Sequence, residues 1–139
     1  MKNLIHKILK EELNNVPQAG ESSGKPMSTE NLDCQTEYLT INQILDGKIK
    51  SIPYYKEVLQ DIENNDYTWS VTKKVLEYAT YMKEHPESLE NLPTIIVLNG
   101  KLQDGAHRIS AVNLLNQHMD KDNPMWDKIK LKVKFCNKP

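Results

Sequence analysis

The stretch PTIIVLNGKLQDGAHRISAVNLL, residues 93–115, decides the predicted fold. Its apolar run TIIVL is typical of a strand, and the Asn99-Gly100 pair suits a type I′ turn into a short return strand. Apolar residues then recur at helical spacing and predict one buried helix face, formed by Ala111, Val112, Leu115 and Met119. The stretch therefore predicts a hairpin that runs directly into a helix, with a polar run at the junction.

The flanking sequence adds two strands and two helices to this hairpin. TEYLTI (36–41) is strand-like, and helical patterns cover 51–65 and 70–85. KIKLKVKFC (128–136) alternates strictly, which predicts a strand with its apolar residues inward and its lysines outward. We therefore expect an α+β fold, in which helices pack on a small mixed β-sheet.

The first 32 residues differ in character from the rest of the chain. Residues 1–14 predict an amphipathic helix with one apolar stripe, formed by Leu4, Ile5, Ile8, Leu9 and Leu13. Residues 15–32 are rich in Gly, Ser, Pro and polar side chains, as in a flexible linker. The folded domain is expected over 33–139. The tethered helix would dock on a protein partner or oligomerise, or else fold back onto the chain's own domain.

Composition excludes several classes of function. The 139 residues carry 27% charged side chains and a net charge of -1, unlike a protein that grips nucleic acid mainly by charge. No apolar run approaches the roughly 20 residues of a membrane span. The two cysteines, Cys34 and Cys136, form no CxxC motif and the four histidines are scattered, so we expect no metal site. A reducing, cytoplasmic location follows naturally, although a Cys34–Cys136 disulfide stays open.

The junction DGAHR, residues 104–108, carries the chemistry. The first N–H groups of a helix lack helical partners and, with the helix dipole, favour an anion. Gly105 would let the backbone approach a ligand, Arg108 would hold two phosphate oxygens, and His107 would donate a hydrogen bond or move a proton. Asp104 would cap the helix, hold a metal or accept a proton. In the alternative interpretation, Asp104 is only an N-cap, Gly105 only a turn residue, and His107 and Arg108 are solvated.

The order strand, helices, hairpin, DGAHR, helix, strand over residues 36–136 resembles the ParB N-terminal/sulfiredoxin-like superfamily. Its members bind nucleotide phosphates with a Gly-x-His-Arg or Gly-Glu-Arg-Arg turn. The resemblance implies that Gly105, Ala106, His107 and Arg108 contact a nucleoside di- or triphosphate, ATP or CTP with Mg²⁺. Asp104 would lie beside them, and it would share any catalytic role with His107.

Departures from the superfamily narrow the expected activity. Ala106 replaces the reactive cysteine of sulfiredoxins, so sulfinic-acid reduction is not expected. The chain stops at Pro139 without a helix-turn-helix domain, so a sequence-specific centromere binder is not expected either. Other members are phosphotransferases, including a kinase of free serine, or nucleases. The resemblance thus implies a phosphotransferase or nucleotide hydrolase. The alternatives are a non-catalytic interaction protein and a weak DNA-binding accessory protein.

Two further segments allow a functional and a structural interpretation. In sulfiredoxins an upstream helix contributes to the nucleotide site, so WSVTKK (69–74) offers Ser70, Thr72, Lys74 and above all Lys73. A capping Ser or Thr with solvated lysines explains the same residues. Likewise, the lysines at 128–134 would follow a phosphate backbone, or else form the solvent face of a strand and discourage edge pairing. Glu37, on the first strand, is a candidate acid or base only by analogy with superfamily kinases, and the alternative is a surface glutamate without a catalytic role.

Overall fold

The computed structural model describes residues 32–137, so the predicted N-terminal helix and nearly all of the predicted linker lie outside the described residues. Within these residues there are four strands, β1 (Asp33–Leu39), β2 (Ile95–Leu98), β3 (Lys101–Asp104) and β4 (Leu131–Asn137). The same part of the chain holds five α-helices, α1 (Ile41–Gln43), α2 (Tyr55–Glu63), α3 (Ser70–Glu84), α4 (Ala106–Leu114) and α5 (Met125–Lys128). Short π-helical turns follow α1 and α4, and a 3₁₀ turn, Pro86–Asn91, follows α3.

The four strands form one mixed sheet in the order β1-β4-β2-β3. β4 pairs antiparallel with β1 and parallel with β2, and β2 pairs antiparallel with β3. The expected α+β fold with a small mixed sheet is therefore confirmed. β4 is an inner strand of this sheet, and its exposed Lys132 lies opposite the exposed Tyr38 of β1. The lysines of β4 therefore do not protect a sheet edge from pairing with another strand.

The hairpin and the helix after it follow the sequence pattern closely. Asn99 and Gly100 have φ angles of 50° and 81°, and a type I′ turn requires positive values at both positions. β3 then runs into α4 with Gly105 as the only intervening residue. The predicted hairpin is thus confirmed, and it fixes where the DGAHR run lies.

Helix α4 is buried at every position, not along one face only. It packs against both α2 and α3, and its apolar residues share one core cluster with the inward residues of the sheet, among them Ile95, Val97 and Val133. A helix covered from several directions buries its polar residues as well. The prediction of a single buried face was therefore too narrow, and His107, Arg108 and Ser110 are all enclosed.

Cys34 and Cys136 are directly opposite each other on β1 and β4, and they form a disulfide bond. This is the pairing that the sequence left open. The bond joins residues that are 102 positions apart, so it ties the first described strand to the last. Across residues 32–137, no helix is both long enough and apolar enough to cross a bilayer.

Candidate functional site: the β3–α4 junction

Both the backbone conformation and the packing at position 105 require a glycine. Gly105 is the N-cap of α4, and its φ of 119° is one that residues with a side chain rarely adopt. A Cβ placed there would lie 2.8 Å from Cγ1 and 3.1 Å from Cγ2 of Ile95. The glycine therefore lets α4 start close against β2, which is a structural reason that stands whether or not a ligand approaches this turn.

Asp104 and Arg108 form a buried ion pair across the first turn of α4. The Arg108 Nη2 atom lies 3.4 Å from Asp104 Oδ1, and both side chains are about 95% buried. The other terminal nitrogen, Nη1, donates to the carbonyl oxygen of Pro93, just before β2. Asp104 is not the N-cap of α4, because that position is held by Gly105, which has no side chain to bond the helix start. Through these contacts, Arg108 links the end of β3 to the segment just before β2.

His107 is enclosed by aromatic rings. Its side chain is only 6% exposed, and the ring centroids of Tyr54 and Tyr78 lie 5.3 Å and 6.4 Å away. Within residues 32–137, its Nδ1 atom has no hydrogen-bond partner. A buried polar atom without a partner costs about 1–3 kcal/mol and calls for an explanation, such as a missing ligand or water.

The surroundings of His107 keep its imidazole neutral. Burial, together with the positive charges of Lys74 and Arg108, lowers its pKa from the usual 6.5 to about 4. At pH 7 the ring therefore carries one N–H donor and one acceptor nitrogen. An anion close by would offset both cations and raise this pKa again.

Two lysines of α3 differ in their position relative to His107. Lys73 is exposed, whereas Lys74 is half-buried, lies near enough to shift the His107 pKa, and places its Nζ 5.9 Å from the centre of the Tyr78 ring. Neither of the hydroxyl residues singled out in the sequence caps α3, whose N-cap is Trp69. Thr72 instead donates to Asp61 Oδ2 at 2.7 Å and links α3 to α2.

Tyr54 connects His107 to the protein surface. Its backbone φ of 79° is unusual for a residue with a side chain, and it immediately precedes α2. Its ring meets that of Trp69 edge-on at 5.6 Å, and the Trp69 side chain is exposed. An aromatic path thus leads from solvent to the buried imidazole.

Four of the five DGAHR residues line one of two cavities, and His107 lines neither. Asp104, Gly105 and Ala106 line a cavity of about 140 Å³ together with Tyr54. Arg108 lines a different one, of about 280 Å³, together with Pro93 and Ile95 at the start of β2. Lys73 lines neither of these cavities. The structure therefore brings four of the sequence-predicted residues to one turn, while the Arg108 guanidinium points towards the start of β2.

Tyr54, Tyr78 and Lys74 surround His107, and none of the three is a leading candidate from the sequence. Tyr78 lies on the buried face of α3, and no sequence pattern pairs it with the histidine. The helical spacing held one usable signal, because Tyr78 and Lys74 are four residues apart and so share a face of α3. Nothing in the sequence marked the positive φ of Tyr54.

Comparisons with known proteins add no assignment. No protein-family model matches the chain, and neither a curated protein nor a solved structure resembles it significantly. In the described part of the chain, no three His, Cys, Asp or Glu side chains come together as a set of metal ligands. The functional interpretation consequently rests on the geometry of the junction.

Proposed function

We propose that this chain is a ParB/sulfiredoxin-like domain that binds a nucleoside di- or triphosphate at the first turn of α4. The observation that carries the proposal is His107, a nine-tenths buried imidazole with an unpartnered nitrogen on the turn that the superfamily resemblance marks for phosphate. A phosphate oxygen would supply the missing partner. The first N–H groups of α4 and the helix dipole favour the same ligand.

The residues near His107 fit the other parts of a nucleotide. Lys74 adds a positive charge beside the imidazole, and Tyr54 with Trp69 offers aromatic faces for a base next to the 140 Å³ cavity. The described residues offer no cluster of metal ligands, so Mg²⁺ would be held mainly by the phosphates. A direct phosphate contact by Arg108 remains a prediction of the resemblance, and in this proposal Lys74 takes the place of the exposed Lys73 as the lysine near the phosphate.

Catalysis is the second part of this proposal. The resemblance implies phosphotransfer or nucleotide hydrolysis, with His107 and Asp104 as catalytic residues. His107 is suited to stabilise charge or move a proton because its ring is neutral at pH 7. Asp104 is occupied by Arg108, so in this structure its role is to hold the turn. Binding can therefore be tested without assuming turnover.

A cytoplasmic location is part of the same proposal and meets one opposing observation. Disulfides are rare in the cytosol, whereas Cys34 and Cys136 are bonded here. The proposal thus requires that the domain stays folded with both thiols reduced. A protein partner for the N-terminal helix and weak contact with DNA are predictions from the sequence alone.

A thermal-shift screen of the full chain with ATP, ADP, CTP and GTP, each with Mg²⁺, tests nucleotide binding. A ligand at a hundred times its dissociation constant adds about 2.7 kcal/mol to the free energy of unfolding, which a melting curve resolves easily. We expect a rise in Tm with at least one nucleotide and a smaller one with the matching nucleoside. No rise with any phosphate compound would contradict the proposal.

A further inference from the structure

A second cavity of about 280 Å³ lies at the end of the sheet where β1 ends and β2 and β4 begin. It is separate from the smaller cavity at Gly105, and the two share no lining residue. Its size suits a small organic molecule better than a macromolecule.

One wall of this cavity is apolar. It consists of buried and half-buried side chains from β2, β4 and the segment before β2, namely Leu89, Leu92, Ile95 and Leu131. Tyr38 stands at the mouth and exposes 60% of its surface, the largest exposed fraction among the large hydrophobic side chains in the described region. An apolar ligand body would cover this wall and part of the tyrosine ring.

The remaining lining is mostly cationic. Lys130 and Lys132 contribute two positive charges, against the single carboxylate of Glu90. The third cation in the lining, Arg108, is buried and its charge is balanced by Asp104. An anion is the ligand that this lining favours.

We propose that the cavity is a binding site for a small organic carboxylate with an apolar body. Both terminal nitrogens of Arg108 already contact Pro93 or Asp104, so the exposed Lys130 and Lys132 contact the carboxylate directly. The two lysine ammonium groups would each contact one oxygen of a single carboxylate. A phosphate dianion would have to lose more hydration beside the apolar wall, so the carboxylate is favoured.

An NMR titration of the full chain with phenylacetate tests this site. We expect saturable shifts of the backbone amides of Tyr38, Leu92 and Lys132, with little change at Gly105 and Ala106. The uncharged analogue 2-phenylethanol should bind at least about fivefold more weakly, which corresponds to about 1 kcal/mol for the loss of the carboxylate. Inorganic phosphate should cause no saturable shifts at these amides. No nucleotide is present, so the outcome is independent of the proposed nucleotide site.

Paired lysine substitutions complete the test. Lys130→Gln with Lys132→Gln should weaken phenylacetate binding at least about fivefold. Lys121→Gln with Lys128→Gln removes the same charge from exposed positions outside the cavity lining and should leave the affinity within about twofold. Absence of saturable binding, equal affinity for phenylacetate and 2-phenylethanol, or equal losses in the two double variants would overturn the assignment.

Discussion

Asp104 and Arg108 lie four residues apart and form an ion pair across the start of α4, and both side chains are buried. The guanidinium also holds the carbonyl of Pro93, so one arginine joins the end of β3 to the beginning of β2. The polar residues of the junction are therefore part of the core. Neither a simple N-cap nor solvated side chains describes them, and changes here should affect stability as well as binding.

Asp104→Asn should lower the free energy of unfolding by about 2 kcal/mol, because it leaves a buried guanidinium without a charged partner. Denaturant unfolding of the parent and the variant at pH 7 measures the loss. Asp122→Asn, at an exposed position, is the matched control and should change stability by less than about 0.5 kcal/mol. Equal stabilities of the two variants would show that the ion pair contributes nothing.

Gly105→Ala should cost about 2–4 kcal/mol, since the new Cβ meets both a strained φ and the Ile95 side chain. Gly47→Ala separates these two causes, because Gly47 also has a positive φ but nothing within 4 Å of its Cβ position. The control should lose only the backbone contribution, about 1–2 kcal/mol. Urea titrations compare the two, and a Gly47 variant as unstable as the Gly105 variant would refute the packing argument.

His107 should make stability pH-dependent in a defined window. Its pKa is about 4 when folded and 6.5 in the unfolded chain, so between these values the unfolded state binds the extra proton. Stability is therefore unaffected by this group above pH 6.5 and falls as the pH drops towards 4, by about 3 kcal/mol in all. Denaturant unfolding of the parent and of His107→Phe between pH 4 and pH 7 measures this loss. The free energy of unfolding of the variant should fall less with decreasing pH than that of the parent. Equal decreases in the two proteins would show that His107 does not cause the loss.

The hairpin and the strands were predictable because Asn-Gly turns and alternating patterns are local signals. Strand order was not, since the position of β4 between β1 and β2 depends on contacts between distant segments. The same limit explains α4: its apolar spacing predicted one buried face, yet the other faces of the helix are covered as well.

At the site, the sequence identified the turn that carries His107 but not its environment. Burial of the imidazole depends on Tyr54 and Tyr78, which come from two other segments. The choice between Lys73 and Lys74 depends on the rotation of α3, which the pattern of that helix did not resolve. The sequence predicts a ligand contact for Arg108. Its hydrogen bond to the carbonyl oxygen of Pro93 depends on the position of β2, which the sequence does not reveal.

Reduction of the Cys34–Cys136 bond should destabilise the domain without unfolding it at 25 °C. The bond joins residues 102 positions apart, and its reduction raises the conformational entropy of the unfolded chain. In the chain-entropy model this lowers the free energy of unfolding by about 4–5 kcal/mol. Melting curves with and without a phosphine reductant should show a lower Tm for the reduced parent. A Cys34→Ser, Cys136→Ser chain should melt at the lower temperature under both conditions. An unchanged Tm on reduction would show that the bond carries no stability.

Calorimetric titration of folded variants with the strongest nucleotide from the screen tests the central claim most directly. His107→Phe keeps a ring between Tyr54 and Tyr78 but removes the unpartnered nitrogen, and Lys74→Gln removes the charge beside it. Lys73→Gln removes the same charge from the exposed neighbouring position. We expect the first two variants to bind at least about tenfold more weakly, which is about 1.4 kcal/mol, and Lys73→Gln to bind like the parent. Nucleotide affinity that survives both His107→Phe and Lys74→Gln, or a parent that binds no nucleotide, would contradict the account.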